Sequence, residues 1–321
     1  MTVDDDRADG SWRAGFPSIT AVVCTLNRAE LLGKALRSLA DQTVSKEEYE
    51  VLVVDNGSTD RTADVCGGFG GAVRRVVEPQ LGLNHARNRG WQEARSRVVA
   101  YLDDDALAAR DWLERILHAF ATVQPQPACV GGKVDLTWET SPPEWLSNPL
   151  FHYPLAKQDW GPDAGWVDAQ RYLVGCNLAF RREVLADLGG FSGSMDRKGG
   201  CLLSNGDVHM ERCLQRAGYG CYYDPAIQVR HHVPASRMTA PWFLNRFYWQ
   251  GVSDAVMDRE LTQPSYAEGL RRAARIARTQ QVGIRRVARL MLNRSDTATL
   301  PSRCLSMFVL GQFAGYLRLR G

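Results

Sequence analysis

The feature that most constrains this chain is a strict alternation between two hydrophobic periods over residues 18–123. "SITAVVCT" (18–25) has the short apolar run of a strand, and "AELLGKALRSLADQ" (29–42) has the 3.6-residue period of an amphipathic helix. The pair recurs as "YEVLVVDN" with "TDRTADVC", as "AVRRVVE" with "NHARNRGWQEARS", and as "VVAYLD" with "RDWLERILHAFATV". Such alternation builds βαβ units and a parallel sheet with helices on its faces. In sheets of this kind ligands sit beyond the C-terminal strand ends.

Polar residues collect at those ends. They are "TLNR" (25–28), "DNGSTD" (55–60), "EPQLGLNHARN" (78–88) and the triple aspartate Asp103, Asp104 and Asp105. Taken alone, "NGSTD" also reads as a turn plus a helix N-cap. The aspartates alone also read as a solvated helix start beside the dipole. Four such stretches on one edge exceed what turns require. Packed carboxylates repel one another, and a divalent cation makes them tolerable. Oxygen ligands suit Mg²⁺ or Mn²⁺, with substrate phosphates completing the shell.

The later motifs are less regular. "ACVGGKVDLTW" predicts a strand, "SPPEWLSNP" a proline-rich loop or short helix, and "RYLVGCNLAFRREVLADLGGF" a strand, a helix and a Gly-Gly stop. "GDVHMERCLQRAG" predicts a helix closed by Gly218, "YGCYYDPAIQVRHHV" an extended run, and a helical region follows from about Pro241.

Together these motifs resemble the inverting family 2 glycosyltransferases of the GT-A fold. The resemblance is carried by "SITAVVCTLNRAELLGKALRSLADQ", "VLVVDNGSTD", "GLNHARNRG", "YLDDDA", "VGCNLAFRREVLADLGGF", "GDVHMERCLQRAGYGCYYDP" and "VRHHVPASR", in order, over residues 18–250. It implies an α/β fold, Rossmann-like, with a mostly parallel sheet flanked by helices, here with a C-terminal helical extension. It implies a nucleotide diphosphate sugar donor, a UDP-sugar, and a hydroxyl acceptor on a glycan, a lipid-linked or a small molecule. Mn²⁺ or Mg²⁺ is the implied cofactor.

Residue by residue, the resemblance puts Thr25, Asn27, Asp55 and Arg87 at the nucleotide, and Arg28 at the diphosphate. Asp103 falls to the ribose or a metal-bound water, Asp104 to a positional role in the same nucleotide set, and Asp105 to the metal. His231 matches a metal ligand or diphosphate contact. Neighbouring strand residues point to opposite faces, so at most one of His231 and His232 reaches the site. Asp207 matches the general base. The family's preceding acid is replaced here by Gly206, and Asp196 is a second candidate for the base. Arg237 matches a basic residue over the diphosphate, and Gly175, Cys176 and Asn177 match the acceptor-side floor. Trp138, Trp145 and Trp160 suit either sugar stacking or the core.

Other classes fit less well. A nucleotidyltransferase would carry a Gly/Arg/Lys-rich phosphate loop after the first strand, which "CTLNRAE" lacks. A non-catalytic sugar-binding protein would not need Asp207 and the triple aspartate. The net charge of +3 is too small to argue for nucleic acid. Eight scattered cysteines without CxxC spacing predict free, reduced thiols.

With 321 residues, the chain divides by expectation into a tail (1–17), a nucleotide-sugar half (18–135), an acceptor and catalytic half (136–240) and a helical extension (241–321). The tail lacks an apolar signal core, and no run reaches the ~20 apolar residues of a membrane span. In the extension, Arg271, Arg275, Arg278, Arg285 and Arg289 form a basic stripe at helical spacing opposite Leu270, Ala273, Ala277, Ile284, Val287 and Met291. This predicts a helix for an anionic membrane surface, or one packed on the catalytic domain or in a homodimer. The expected location is cytoplasmic, peripheral at the inner membrane face.

Overall fold

The computed structural model describes residues 17–168, 171–196, 202–282 and 297–317. The strands are β1 (Ile19–Thr25), β2 (Tyr49–Asp55), β3 (Val73–Val77), β4 (Val98–Leu102), β5 (Ala106–Ala108), β6 (Cys129–Trp138), β7 (Gly165–Trp166), β8 (Asn177–Arg181) and β9 (Cys221–Val233). The helices are α1 (Ala29–Ala40), α2 (Thr62–Gly67), α3 (Leu83–Glu93), α4 (Trp112–Thr122), α5 (Arg182–Asp187), α6 (Gly206–Arg216), α7 (Ala240–Thr262), α8 (Tyr266–Thr279) and α9 (Leu300–Leu317).

One sheet carries all nine strands in the order β3-β2-β1-β4-β8-β6-β9-β5, with β7 on β9. β1 to β4 are mutually parallel, as the βαβ alternation requires. β8 runs against β4 and β6, while β6 and β9 run together. The sheet is therefore mostly parallel, and it extends through both expected halves. The division expected at 135 falls inside β6.

Both faces of the sheet are covered, and the period of two shows in β1. Ile19, Ala21 and Val23 meet Leu32, Leu36 and Leu39 of α1 and Trp112 and Phe120 of α4. Val22 points the other way, into a cluster with Ala86 of α3, Phe180, Phe191 and Met210. A strand buried on both faces must be largely apolar, and β1 is, with its buried Thr20 hydroxyl satisfied by Glu50 and Ser96.

The last helices form their own layer. α7 and α9 cross with almost no side chain between them, and a Cβ on Gly311 would lie 2.0 Å from the Tyr248 carbonyl. Asp258 of α7 accepts hydrogen bonds from Arg272 of α8 (2.5 Å) and Tyr316 of α9 (2.5 Å). α8 starts in a capping box between Ser265 and Glu268. The apolar run 304–317 lies in α9 and is thus packed against α7, within the helical extension. Arg271, Arg275 and Arg278 are exposed on α8. Arg285, Arg289, Ile284, Val287 and Met291 lie outside the described residues.

No helix among the described residues is long and apolar enough to cross a membrane. The seven described cysteines are free thiols. Trp138 and Trp145 pack in a cluster with Phe243, and Trp160 donates to the Tyr172 carbonyl at 2.9 Å. All three serve packing.

Candidate active site

The triple aspartate is a turn between two strands. Leu102 ends β4, and Ala106 begins β5, which pairs antiparallel with β9 so that Ala106 faces His231. The sequence pattern predicts α4 but not this three-residue strand. α4 begins only at Trp112, and a helix dipole acts only within its first turn. The dipole therefore does not explain the aspartates. Burial also argues against a solvated helix start, since Asp104 is 5% exposed and Asp105 6%.

Each carboxylate has distinct partners. Asp104 accepts from Thr25 Oγ1 (2.8 Å) and Arg28 Nη1 (2.9 Å). Both of its oxygens are engaged, so it braces the loop after β1. Asp105 meets His231 Nε2 (3.3 Å), Arg28 Nη1 (3.0 Å) and Arg237 Nη2 (3.3 Å). Burial raises the Asp103 carboxyl above the usual range, and the charge of Asp105 adds to it. Burial also lifts Asp104, to about 6, against the pull of Arg28. Burial opposes ionisation of Asp105 too, but the His231 hydrogen bond and the charges of His231, Arg237 and Arg28 outweigh it, and its pKa falls below the usual range.

Asp103, Asp105 and His231 each offer one atom within 4.8 Å of the others. Two carboxylates and one imidazole are a donor set for Mn²⁺ or Mg²⁺. His231 Nδ1 is buried without a hydrogen-bond partner among the described residues. The residues fit such an ion.

These groups share a cavity of about 630 Å³ with Asp207, Arg87 and Gly175. Asp207 stands in the first turn of α6 and accepts from the Gly175 N–H at 2.7 Å. A side chain at Gly175 would displace the Arg87 and Asp207 side chains, because its Cβ would lie 2.5 Å from both. The close approach there is by protein groups. Gly206 has a similar cause. A Cβ at that position would lie 2.6 Å from Asn84 Oδ1. Asn84 is held by its own N–H on Asp196 (2.9 Å) and its amide on the Ser192 carbonyl (2.8 Å). The space beside residue 206 is thus filled by Asn84.

Three expected site residues do not line the cavity. Asn177 lies within the sheet, accepting from Trp112 Nε1 (2.8 Å) and donating to the Ile227 (2.9 Å) and Lys133 (3.1 Å) carbonyls. Its assignment to the acceptor floor is corrected accordingly, since the pleat turns it away from the side that Cys176 lines. Asp55 takes the Ser58 N–H (2.8 Å) and pairs with Arg75 (3.0 Å). Asn27, at φ 55°, accepts from the Thr59 N–H (2.7 Å). Both brace the two loops behind the cavity wall formed by Leu26, Asn56 and Leu81. Asp196 lies outside the cavity lining and positions Asn84 at the start of α3.

Sequence reasoning missed Tyr153, Trp242 and Arg246, all of which line the cavity. The spacing of Trp242 and Arg246, one helical turn apart, was the available signal.

Comparison with known proteins gives the same fold. Residues 20–189, just over half of the chain, match the family model described as Glycosyl transferase family 2. A glucosyl-dolichyl phosphate glucuronosyltransferase of Haloferax volcanii is 29% identical over 77% of this chain and 79% of its own length. A mannosyltransferase from Pyrobaculum calidifontis, solved with GDP-Man and Mn²⁺, superposes with a TM-score of 0.61 at 21% identity. That match covers 96% of this chain and 89% of the other. S. aureus TarS 1-349, solved with UDP, gives a TM-score of 0.51 at 16% identity over 94% and 92% of the two chains.

Proposed function

The chain belongs to glycosyl transferase family 2, and we propose that it transfers a hexose, with inversion, from a UDP-sugar to a hydroxyl of a glycan, lipid-linked or small-molecule acceptor. It is a glycosyltransferase; the donor, the stereochemistry, the metal and the residue roles are the proposal. The observation that carries it is the sharing of one cavity by the Asp103–Asp105–His231 group and Asp207.

Asp207 takes the proton of the acceptor hydroxyl as that oxygen attacks the anomeric carbon. The bond from that carbon to the diphosphate breaks, and its electron pair leaves with the nucleoside diphosphate. The Gly175 N–H fixes the Asp207 carboxylate toward the cavity. Arg28 and Arg237, already on Asp105, offset the charge that develops on the leaving group. Mn²⁺ or Mg²⁺ held by Asp103, Asp105 and His231 would supply further positive charge to the diphosphate. Thr25 and Arg87 border the nucleotide, with Asn27 and Asp55 holding its loops. Residues 18–135 serve the donor and 136–240 the acceptor. The location proposed is cytoplasmic, with Arg271, Arg275 and Arg278 toward an anionic membrane surface.

The test is UDP-, GDP- and dTDP-sugars, each with Mn²⁺, Mg²⁺ or chelator, read as a melting shift and as nucleotide release. A metal-dependent shift with UDP-sugars is expected. Asp207→Asn should keep that shift and lose about 10²–10⁴-fold in turnover. An Asp207→Asn enzyme as fast as the parent removes Asp207 as the base, and no shift with any nucleotide removes the donor site.

A further inference from the structure

Arg246 is a partly buried cation on the cavity wall, with no carboxylate in salt-bridge range among the described residues. It projects from α7, beyond the residues matched by the family model. Its Nη1 is buried with no hydrogen-bond partner among the described residues, and its Nη2 donates only weakly to Ser204 Oγ, at 3.3 Å. The carboxylates nearby are already engaged. Asp254 accepts from Asn205 (2.7 Å) and Gln250 (2.7 Å), and Asp207 from the Gly175 N–H. Burial pushes the guanidinium below the usual arginine range, which the charges of Tyr153, Asp254 and Asp207 only partly offset. A buried, poorly paired charge is costly, and an anionic ligand removes that cost.

Arg28 and Arg237 are paired with Asp105 of the triple aspartate. Arg246 sits with Asp207, where the acceptor must enter. Trp242 lies one turn before it on α7 and lines the same cavity. An aromatic ring beside a guanidinium suits a sugar face carrying an oxyanion.

We propose that Trp242 and Arg246 form an acceptor subsite for an anionic saccharide, with the indole against the sugar ring and the guanidinium on a phosphate or carboxylate of the acceptor. This rests on the reading that donor and acceptor meet in this cavity.

The experiment uses the full chain saturated with UDP and Mn²⁺. Probes are a panel of glycosyl 1-phosphates, uronic acids and the matching methyl glycosides, read by melting shift and titration. Anionic sugars should stabilise the loaded protein and methyl glycosides should not. Arg246→Gln should weaken the anionic probes about ten- to hundredfold, and Arg246→Lys should restore part of the loss. Both variants should keep the parent's UDP–Mn²⁺ shift, which also reports that they fold.

Equal binding of neutral and anionic sugars would overturn the proposal, as would no shift with any anionic probe. Weakened UDP binding in Arg246→Gln would assign the residue to the donor diphosphate instead, and also overturns it. If the parent shows no nucleotide shift while an Arg246-dependent anion shift persists, the donor reading fails and the anion site stands.

Discussion

Helix α7 and the segments that follow strands β1 to β4 line the same cavity, yet different forces hold the strands and the helix. β1 and β4 are mainly apolar on both faces and sit between two helical layers, so burial does most to specify them. α7 meets α9 through backbone, at Gly251 and Gly311, and meets the catalytic segment through a polar network. In that network Asp254 and Gln250 hold Asn205, the αL residue immediately before α6. The first region tolerates exchange of one aliphatic for another. The second depends on close approach and satisfied polar groups, where small changes are felt.

The largest effect expected within this comparison is at the triple aspartate, the proposed donor edge. Asp105→Asn should weaken Mn²⁺-dependent nucleotide binding by about a hundredfold or more, since even outer partners of metal ligands are worth 10–100-fold. Calorimetry with and without Mn²⁺ measures it, and an unchanged metal dependence would remove Asp105 from the ion's shell.

At the helical layer, Gly311→Leu should cost about 3 kcal/mol, because the new side chain meets the Tyr248 carbonyl with no room to rotate away. Denaturant unfolding tests this. A neutral result would mean that α9 does not pack there.

A subtler probe is Asp254, partly buried in the structure and lifted to about 6 mainly by desolvation. Its folded pKa lies above the unfolded value near 3.9, so the unfolded chain gives up this proton first. The stability it allows is fully present below pH ~4 and is lost as pH rises to ~6, by up to about 3 kcal/mol. Asp254→Asn keeps an acceptor oxygen without the charge. Its stability should lack that fall between pH 4 and 6. The same slope in parent and variant would show that Asp254 does not titrate there.

Thr25→Val should cost about 1 kcal/mol through the lost bond to Asp104. The smallest effect is at the surface. Replacing Arg271, Arg275 and Arg278 by Ala should change stability by less than about 0.5 kcal/mol each. The triple variant should nonetheless bind anionic vesicles less tightly than the parent.

Much of the polar strand edge was legible because its signals are local. Alternation at periods of two and 3.6 places "VVAYLD" on a strand and Asp103 to Asp105 at its end, whatever the rest of the chain does. β5 escaped because three residues carry no period. Asn177 was misplaced because a motif names a residue without its direction, and the pleat aims this one at Trp112. Gly206 looked like a lost acid until the fold put Asn84 beside it.

The amino-acid order by itself determined the βαβ succession, the polar edge and the carboxylate cluster, since each depends on neighbours a few residues apart. Tertiary structure decided that His231 meets Asp105, that Gly175 steadies Asp207, and that Arg246 of α7 enters the cavity. These pairs are separated by tens of residues or more. Only the folded sheet and the close crossing of the last helices bring them within hydrogen-bond or cavity distance, because packing selects partners that no local period encodes.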